Sequence, residues 1–229
     1  MTTISLILDR SGSMITCQED TIKGFNTFLN NQKEVSANGE DTCLVSLYQF
    51  DNEFSCTYEK KNITEAETLD EENFKPRGHT ALYDAIGHTL AKLEYDGNKN
   101  IVVIITDGED NSSIEYSAQT IRELVEQHKE KGTEFVFIGA NQDVALTARN
   151  LNINVGSAIR FDVRRPENSF NNLNTSISRS RRTGQRVEFT QEEVDNVGSE
   201  DAPRFQDIDI NDMIRTPMKS RRSSNFLSR

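Results

Sequence analysis

The chain has 229 residues, 34% of them hydrophobic, and its 37 acidic and 26 basic side chains give a net charge of −11 at pH 7. That length exceeds a typical domain by about half, its apolar content suffices for one core, and no segment reaches the ~20 consecutive apolar residues of a membrane helix. With no charged-then-apolar leader and three cysteines (Cys17, Cys43, Cys56) that form no Cys-x-x-Cys pair, a soluble cytoplasmic protein is expected, without a disulfide framework or a zinc site.

In chain order, the apolar run from Ile4 to Leu8 predicts a first strand ending at Asp9. Ile22, Phe25, Phe28 and Leu29 recur at helical spacing, which predicts a helix over 19–32. Two strands, 43–50 and 53–58, flank Asp51-Asn52 and read as a hairpin at an antiparallel sheet edge. A helix over 80–93, a strand from Ile101 to Thr106 and a helix over 113–131 closed by Gly132 come next. A buried strand over 134–138, a short helix over 143–150 and a last short strand over 152–155 complete the alternation. Strands separated by helices imply an α/β fold, a doubly wound and mostly parallel sheet with one antiparallel edge strand and helices on both faces. A final helix over 169–182 would place Phe170, Leu173 and Ile177 on one face. The domain is expected to occupy 1–184 and a charged, flexible tail 185–229, with one extra helical turn at 191–194.

Three polar clusters stand where this chain turns: Asp9-Arg10-Ser11-Gly12-Ser13, Gly78-His79-Thr80 and Thr106-Asp107-Gly108. Two carboxylates and three hydroxyls are the donor set of a hard divalent cation. In an open α/β sheet, two strands that each finish in Asp can aim both carboxylates into one crevice beyond their carboxyl ends. Gly12 allows the tight turn that points Ser11 and Ser13 the same way. Gly24 and Gly87, inside helical patterns, are read as close-packing positions.

Asp-x-Ser-x-Ser at 9–13, the Thr following Gly78, Thr-Asp-Gly at 106–108 and the run Gly78-His79-Thr80-Ala81-Leu82-Tyr83-Asp84-Ala85-Ile86 resemble the metal-ion-dependent adhesion site of von Willebrand factor A domains. The resemblance covers roughly residues 2–160. It implies metal ligands at Asp9, Ser11, Ser13, Thr80 and Asp107, with the hydroxyls bound directly and the carboxylates partly through water. The implied ion is Mg²⁺, with Mn²⁺ or Ca²⁺ as substitutes. Mg²⁺ keeps an open coordination position that a partner protein's Asp or Glu can take. The expected function is a non-enzymatic intracellular adaptor that captures such a partner, and the chain is similar in size to short stand-alone members from bacteria and their phages.

Two other classes are weighed. A hydrolase using Ser11 and His79 lacks a Gly-x-Ser-x-Gly elbow, and no phosphate-binding Gly-x-x-x-x-Gly-Lys-Ser/Thr loop is present. A nucleic-acid scaffold would rely on the tail, where Arg164 to Arg186 is basic, Val187 to Ile214 acidic and Arg215 to Arg229 basic again. Those basic runs lack interleaved aromatics for base stacking, and residues 1–159 carry 26 acidic against 13 basic side chains, which repels phosphate. Near the clusters, His79 reads as a rim residue, Glu109 and Asp110 as a solvated helix start, and Asp84 equally as a support for a metal-bound water or as a cap.

Overall fold

In the computed structural model of the chain, residues 1–39, 41–140, 144–195 and 197 are described. Six strands form one sheet: β1 (Thr2–Asp9), β2 (Cys43–Phe50), β3 (Phe54–Asn62), β4 (Lys99–Thr106), β5 (Glu134–Gly139) and β6 (Ala158–Arg160). Their spatial order is β3-β2-β1-β4-β5-β6, and every pair is parallel except β2–β3. This is the doubly wound α/β architecture with one antiparallel edge. All eight residues of β1 are buried, as both faces of a covered parallel sheet require.

Two apolar layers sandwich the sheet. On one face Ile4, Leu6 and Leu8 of β1 meet Phe25 and Phe28 of α1 (Gln18–Ala37) and Phe170, Leu173 and Ile177 of α5 (Pro166–Thr183). On the other, Ile7 and Ile104 meet α2 (Leu82–Leu90), α3 (Ala118–Glu130) and α4 (Val144–Asn150) through Ile86, Ile121 and Ala148. Both glycines read as packing positions lie at close approaches. A Cβ on Gly24 would come within 2.4 Å of the Phe170 ring, and one on Gly87 within 2.6 Å of Tyr116.

Several expected boundaries move. The first helix extends five residues past 32, and a 3₁₀ turn (Gly12–Cys17) precedes it. The 80–93 helix contracts to α2. The 113–131 helix starts only at Ala118, because Ser117 is its cap, accepting the Thr120 N–H at 3.1 Å. The strand expected over 152–155 is absent: Asn152 takes the left-handed conformation at φ 60, and Asn154 caps a 3₁₀ turn (Val155–Ser157). The chain becomes extended only at β6. The expected helix start at Asp143 lies outside the described residues.

Packing also continues past the expected domain end at 184. Gly184 does close α5 with φ 71, yet Val187, Phe189 and Val197 are buried in the α1/α5 core layer. Between them the short helix α6 (Gln191–Asp195) is held by Arg179, which forms paired hydrogen bonds to Glu193 at 2.9 and 3.0 Å. The charges of this segment outnumber its apolar residues, which predicts a tail, but three well-placed apolar side chains are enough to seat it. The rest of the expected tail, 198–229, lies outside the described residues.

Candidate metal centre

β1 and β4 are parallel neighbours in register, Leu8 beside Ile105, so Asp9 and Asp107 finish adjacent strands at the same end of the sheet. β2 and β4 flank β1 on opposite sides, which makes this the switch point where an open α/β sheet has its crevice. Asp9 is fully buried; its Oδ1 accepts the Ser11 N–H at 2.6 Å and its Oδ2 accepts the Thr106 hydroxyl at 2.6 Å. The following turn brings Ser11 Oγ within 3.0 Å of Ser13 Oγ, and Ser13 Oγ donates to Asp107 Oδ1 at 2.7 Å.

Thr80 arrives on a separate loop. Gly12 N–H donates to the Gly78 carbonyl at 3.2 Å, joining the first and second clusters. Gly78 has φ 66, and a Cβ there would fall 2.1 Å from Asn52 Oδ1, so both conformation and space demand glycine. Asn111 braces Thr80 by accepting its N–H and donating to its carbonyl, each at 2.9 Å. A Cβ on Gly108 would sit 3.4 Å from Thr80 Oγ1, which places that hydroxyl beside the Asp107 turn. All five residues singled out in the sequence therefore converge on one end of the sheet.

The electrostatics of this cluster are those of crowded acidic groups. Burial pushes the Asp9 carboxyl up to about 6 against its hydrogen bonds from Thr106 and Ser11, and the neighbouring Asp107 adds to the rise. Burial raises Asp107 as well, against the hydrogen bond from Ser13. Among the described residues, neither carboxylate has a Lys, Arg or His partner. Placing two such carboxylates together in a desolvated crevice is unfavourable unless a positive charge joins them. A hydroxyl has one proton and two lone pairs, so Ser13 can keep donating to Asp107 while offering an oxygen lone pair to an ion. No three His, Cys, Asp or Glu side chains gather as a metal site among the described residues, so the remaining ligands would be hydroxyls and water. That donor set fits Mg²⁺.

One supporting group escaped the sequence reading. Asp51, read only as a turn residue, is fully buried and ties three loops together. Its Oδ2 accepts Arg10 Nε at 3.0 Å and Arg77 Nε at 2.8 Å, its Oδ1 accepts the Glu53 N–H at 2.7 Å, and its carbonyl accepts the Ala81 N–H at 2.8 Å. Arg10, although beside Asp9 in sequence, is thereby turned away from the carboxylates. Arg10 and Arg77 are separated by 67 positions, and no local pattern announces their shared partner. Asp84 proves to be a clasp: its carboxylate accepts the N–H groups of Ile114, Glu115 and Tyr116 at 2.8, 2.9 and 2.7 Å. Asp110 accepts the Tyr83 N–H at 3.3 Å and the Ser113 hydroxyl, and His79 is exposed at the rim.

The sequence matches the von Willebrand factor type A domain over residues 3–175. The chain belongs to this family. None of the curated proteins matches it in sequence. Among solved structures, the pilus adhesin SpaC of Lactobacillus rhamnosus GG in its open conformation is similar, with a TM-score of 0.61 and 15% identity over 78% of this chain and 30% of that one. A von Willebrand factor type A protein of Catenulispora acidiphila gives a TM-score of 0.51 and 14% identity, covering 76% and 42%. An aerotolerance-related membrane protein of Bacteroides fragilis, crystallised with multiple mutations to serines, gives 0.54 and 15%, covering 78% and all of that chain. The chain thus spans under a third of SpaC and under half of the Catenulispora protein. At these identities the likeness is one of fold. No helix among the described residues is long and apolar enough to cross a membrane.

Proposed function

We propose that this von Willebrand factor type A domain is a non-enzymatic, intracellular protein-binding module. Asp9, Ser11, Ser13, Thr80 and Asp107 hold Mg²⁺, and an Asp or Glu of a partner protein completes the site. The observation that carries this reading is the buried Asp9 beside the half-buried Asp107, two carboxylates with no basic partner among the described residues, joined through the Ser11 and Ser13 hydroxyls at the mouth of the sheet. When bound, the ion supplies an exposed positive centre with a coordination position open to an outside carboxylate. The chain's own residues do the rest. Asp9 is oriented by Thr106 and Ser11, Asp107 is held by Ser13, and Thr80 is set at the crevice by Asn111 and the Asp51 network. Ser11 bonds to Ser13 and no histidine contacts it, which favours binding over hydroxyl-based hydrolysis.

Thermal unfolding in Mg²⁺, in Mn²⁺ and in EDTA tests the metal site. Because the ligands come from three distant segments, the ion binds only the folded state and stabilises it by about 2.7 kcal/mol at 100-fold excess over Kd. For a domain of this size that is roughly 5–10 °C in Tm. Asp107→Ala should abolish the shift, and identical wild-type melts in EDTA and Mg²⁺ would refute the metal centre. For the partner step, Thr80→Ala should weaken capture of an acid-bearing ligand while leaving the EDTA melt nearly unchanged.

A further inference from the structure

The loop after Asp107 displays Ile114 at 91% exposure, the most exposed large apolar side chain among the described residues. Its position is fixed. Three consecutive amides, those of Ile114, Glu115 and Tyr116, donate to the Asp84 carboxylate, which is itself buried in the first turn of α2. The Tyr116 ring lies against Gly87 of the same helix. With its backbone already ordered, the residue has met part of the ordering cost of an interface position.

Beside Ile114 lies a groove of about 360 Å³. Its apolar lining is Phe50, Phe54, Ala81, Ala85 and Ile114 itself, and His88 forms one wall. Phe54 stacks on Tyr48 and meets the His88 ring, each with centroids 5.3 Å apart, so this aromatic surface is braced. The groove opens from the metal face itself. Ala81 follows Thr80 in the chain, and Ser112, another lining residue, donates its N–H to the Thr80 carbonyl at 3.2 Å. The charged side chains along it are chiefly carboxylates. Glu53 is shared with Arg77, and Glu115 faces His88 Nε2 at 3.5 Å. Among the described residues, no lysine or arginine lines it.

We propose that this groove is a second subsite of the metal face, and that it takes a large apolar side chain from an extended partner segment within about three residues of the acid that reaches the metal. The statement rests on the reading of the metal centre given above. The spacing follows from Ala81, one residue from Thr80: the groove begins about 3.8 Å along the chain from a proposed ligand, and an extended peptide advances about 3.3 Å per residue. The volume falls within the ~300–1,000 Å³ of ordinary ligand pockets and admits a Leu, Met or Phe side chain. Glu53 and Glu115, within residues 1–159 that carry 26 acidic against 13 basic side chains, disfavour a second acid in the segment and favour a neutral or basic neighbour. One acid for the metal and one apolar anchor for the groove form a two-point motif, with selectivity coming from the second point.

The test is selection of a peptide library with one fixed central Asp on the full chain in Mn²⁺, followed by affinity measurement of the enriched peptides. Enriched sequences should carry a large apolar residue within three positions of the Asp. Replacing that residue by Ser should weaken binding about tenfold or more, and Ile114→Ser in the protein should do the same. The two changes together should cost no more than either alone, because both remove one contact. Ile114→Ser is a surface change and should leave the Tm in EDTA unaltered. Enriched peptides that require metal and Asp but show no apolar preference, or that bind Ile114→Ser as well as wild type, would overturn the groove and leave the metal reading standing. Peptides that bind equally in EDTA, or no enrichment at all, would overturn both points of the motif, and the metal-dependent melt then reports whether the metal centre survives.

Discussion

Asp9 accepts two short hydrogen bonds and still holds its proton up to about pH 6, because burial outweighs them. A carboxyl whose folded pKa lies above its unfolded value binds its proton more tightly in the folded state. Its contribution is therefore present below about pH 4 and is lost as pH rises through about 6. A rise of about two units corresponds to about 3 kcal/mol of strain in the metal-free protein at neutral pH. Asp107 is shifted in the same direction. In EDTA the wild type should therefore melt higher at pH 5 than at pH 7.5, and Asp9→Asn should flatten that slope and melt at least as high as wild type at pH 7.5. Mg²⁺ should rescue the wild type at pH 7.5 and do nothing for Asp9→Asn. Parallel melting curves for the two proteins across this range in EDTA would show that Asp9 carries no such strain. The clustering of these polar residues was legible in the sequence because short loops at strand ends keep Asp9, Ser11 and Ser13 together, and Thr106, Asp107 and Gly108 together. Asp51 was not legible, since its role consists of partners at positions 10, 77 and 81 that meet only in the folded loops.

Among the elements, β1, β4 and β5 were readable because strands buried on both faces are continuous apolar runs, whereas the start of α3 was not. Ser113 and Ser117 are both plausible caps, and the choice is made by Asp84, some thirty residues earlier, which draws the amides of 114–116 out of any helix. The packing of α1 on α5 offers a sharper test of element-level physics. Gly24 faces Phe170, whose ring is wedged edge-on between Phe25 and Phe161 at centroid distances of 6.5 and 6.4 Å. Helix propensity alone makes Gly24→Ala stabilising by about 1 kcal/mol. Against that, the new methyl would lie 2.4 Å from a ring atom that its neighbours prevent from moving, and overpacking of this kind costs about 1–3 kcal/mol. The clash should win or at least cancel the gain. The expected result is a Tm equal to or lower than wild type, and a clear rise in Tm would mean that α1 and α5 can separate at little cost. Gly132→Ala is no counterpart, because its φ of 92 strains any side chain despite open space around it.

At the scale of the whole molecule, the domain closes with the strap that runs from Val187 to Val197. Charges outnumber apolar residues after Gly184, so sequence reasoning ends the fold there, with Val187, Phe189, Val194 and Val197 as candidates for one small docking patch. The tertiary partners show that this segment docks. Val187 N–H donates to Glu134 Oε2 at 2.8 Å, the Val187 carbonyl accepts the Ser157 hydroxyl at 2.6 Å, and Phe189 N–H donates to the Gly156 carbonyl at 2.8 Å. These bonds cover the β5–β6 side of the sheet, at the opposite edge from the β2–β3 hairpin. A chain ended at Arg186 would open the core layer that holds Leu173 and Ile177, remove the acceptor of the Ser157 hydroxyl and leave Glu134 with Lys99 alone. Phe189→Ala should therefore destabilise by about 3 kcal/mol, the scale of a truncated core aromatic, although the residue lies outside the region that matches the family. The anchor of the strap also titrates. Burial raises the Glu193 carboxyl, but the hydrogen bonds from Arg179 and Thr190 outweigh it and hold the group below its ordinary value. A carboxylate depressed in the folded state stabilises above its unfolded pKa of about 4.3 and loses that stabilisation as pH falls through the folded value. Hydrogen exchange should then show the 187–195 amides losing protection below about pH 4 while β1 and β4 remain protected, and Glu193→Gln should loosen the same amides at neutral pH. Uniform protection of 187–195 and β1 in both experiments would mean that the strap opens only with the whole domain, and that its apolar side chains, not the Arg179–Glu193 pair, decide when it does.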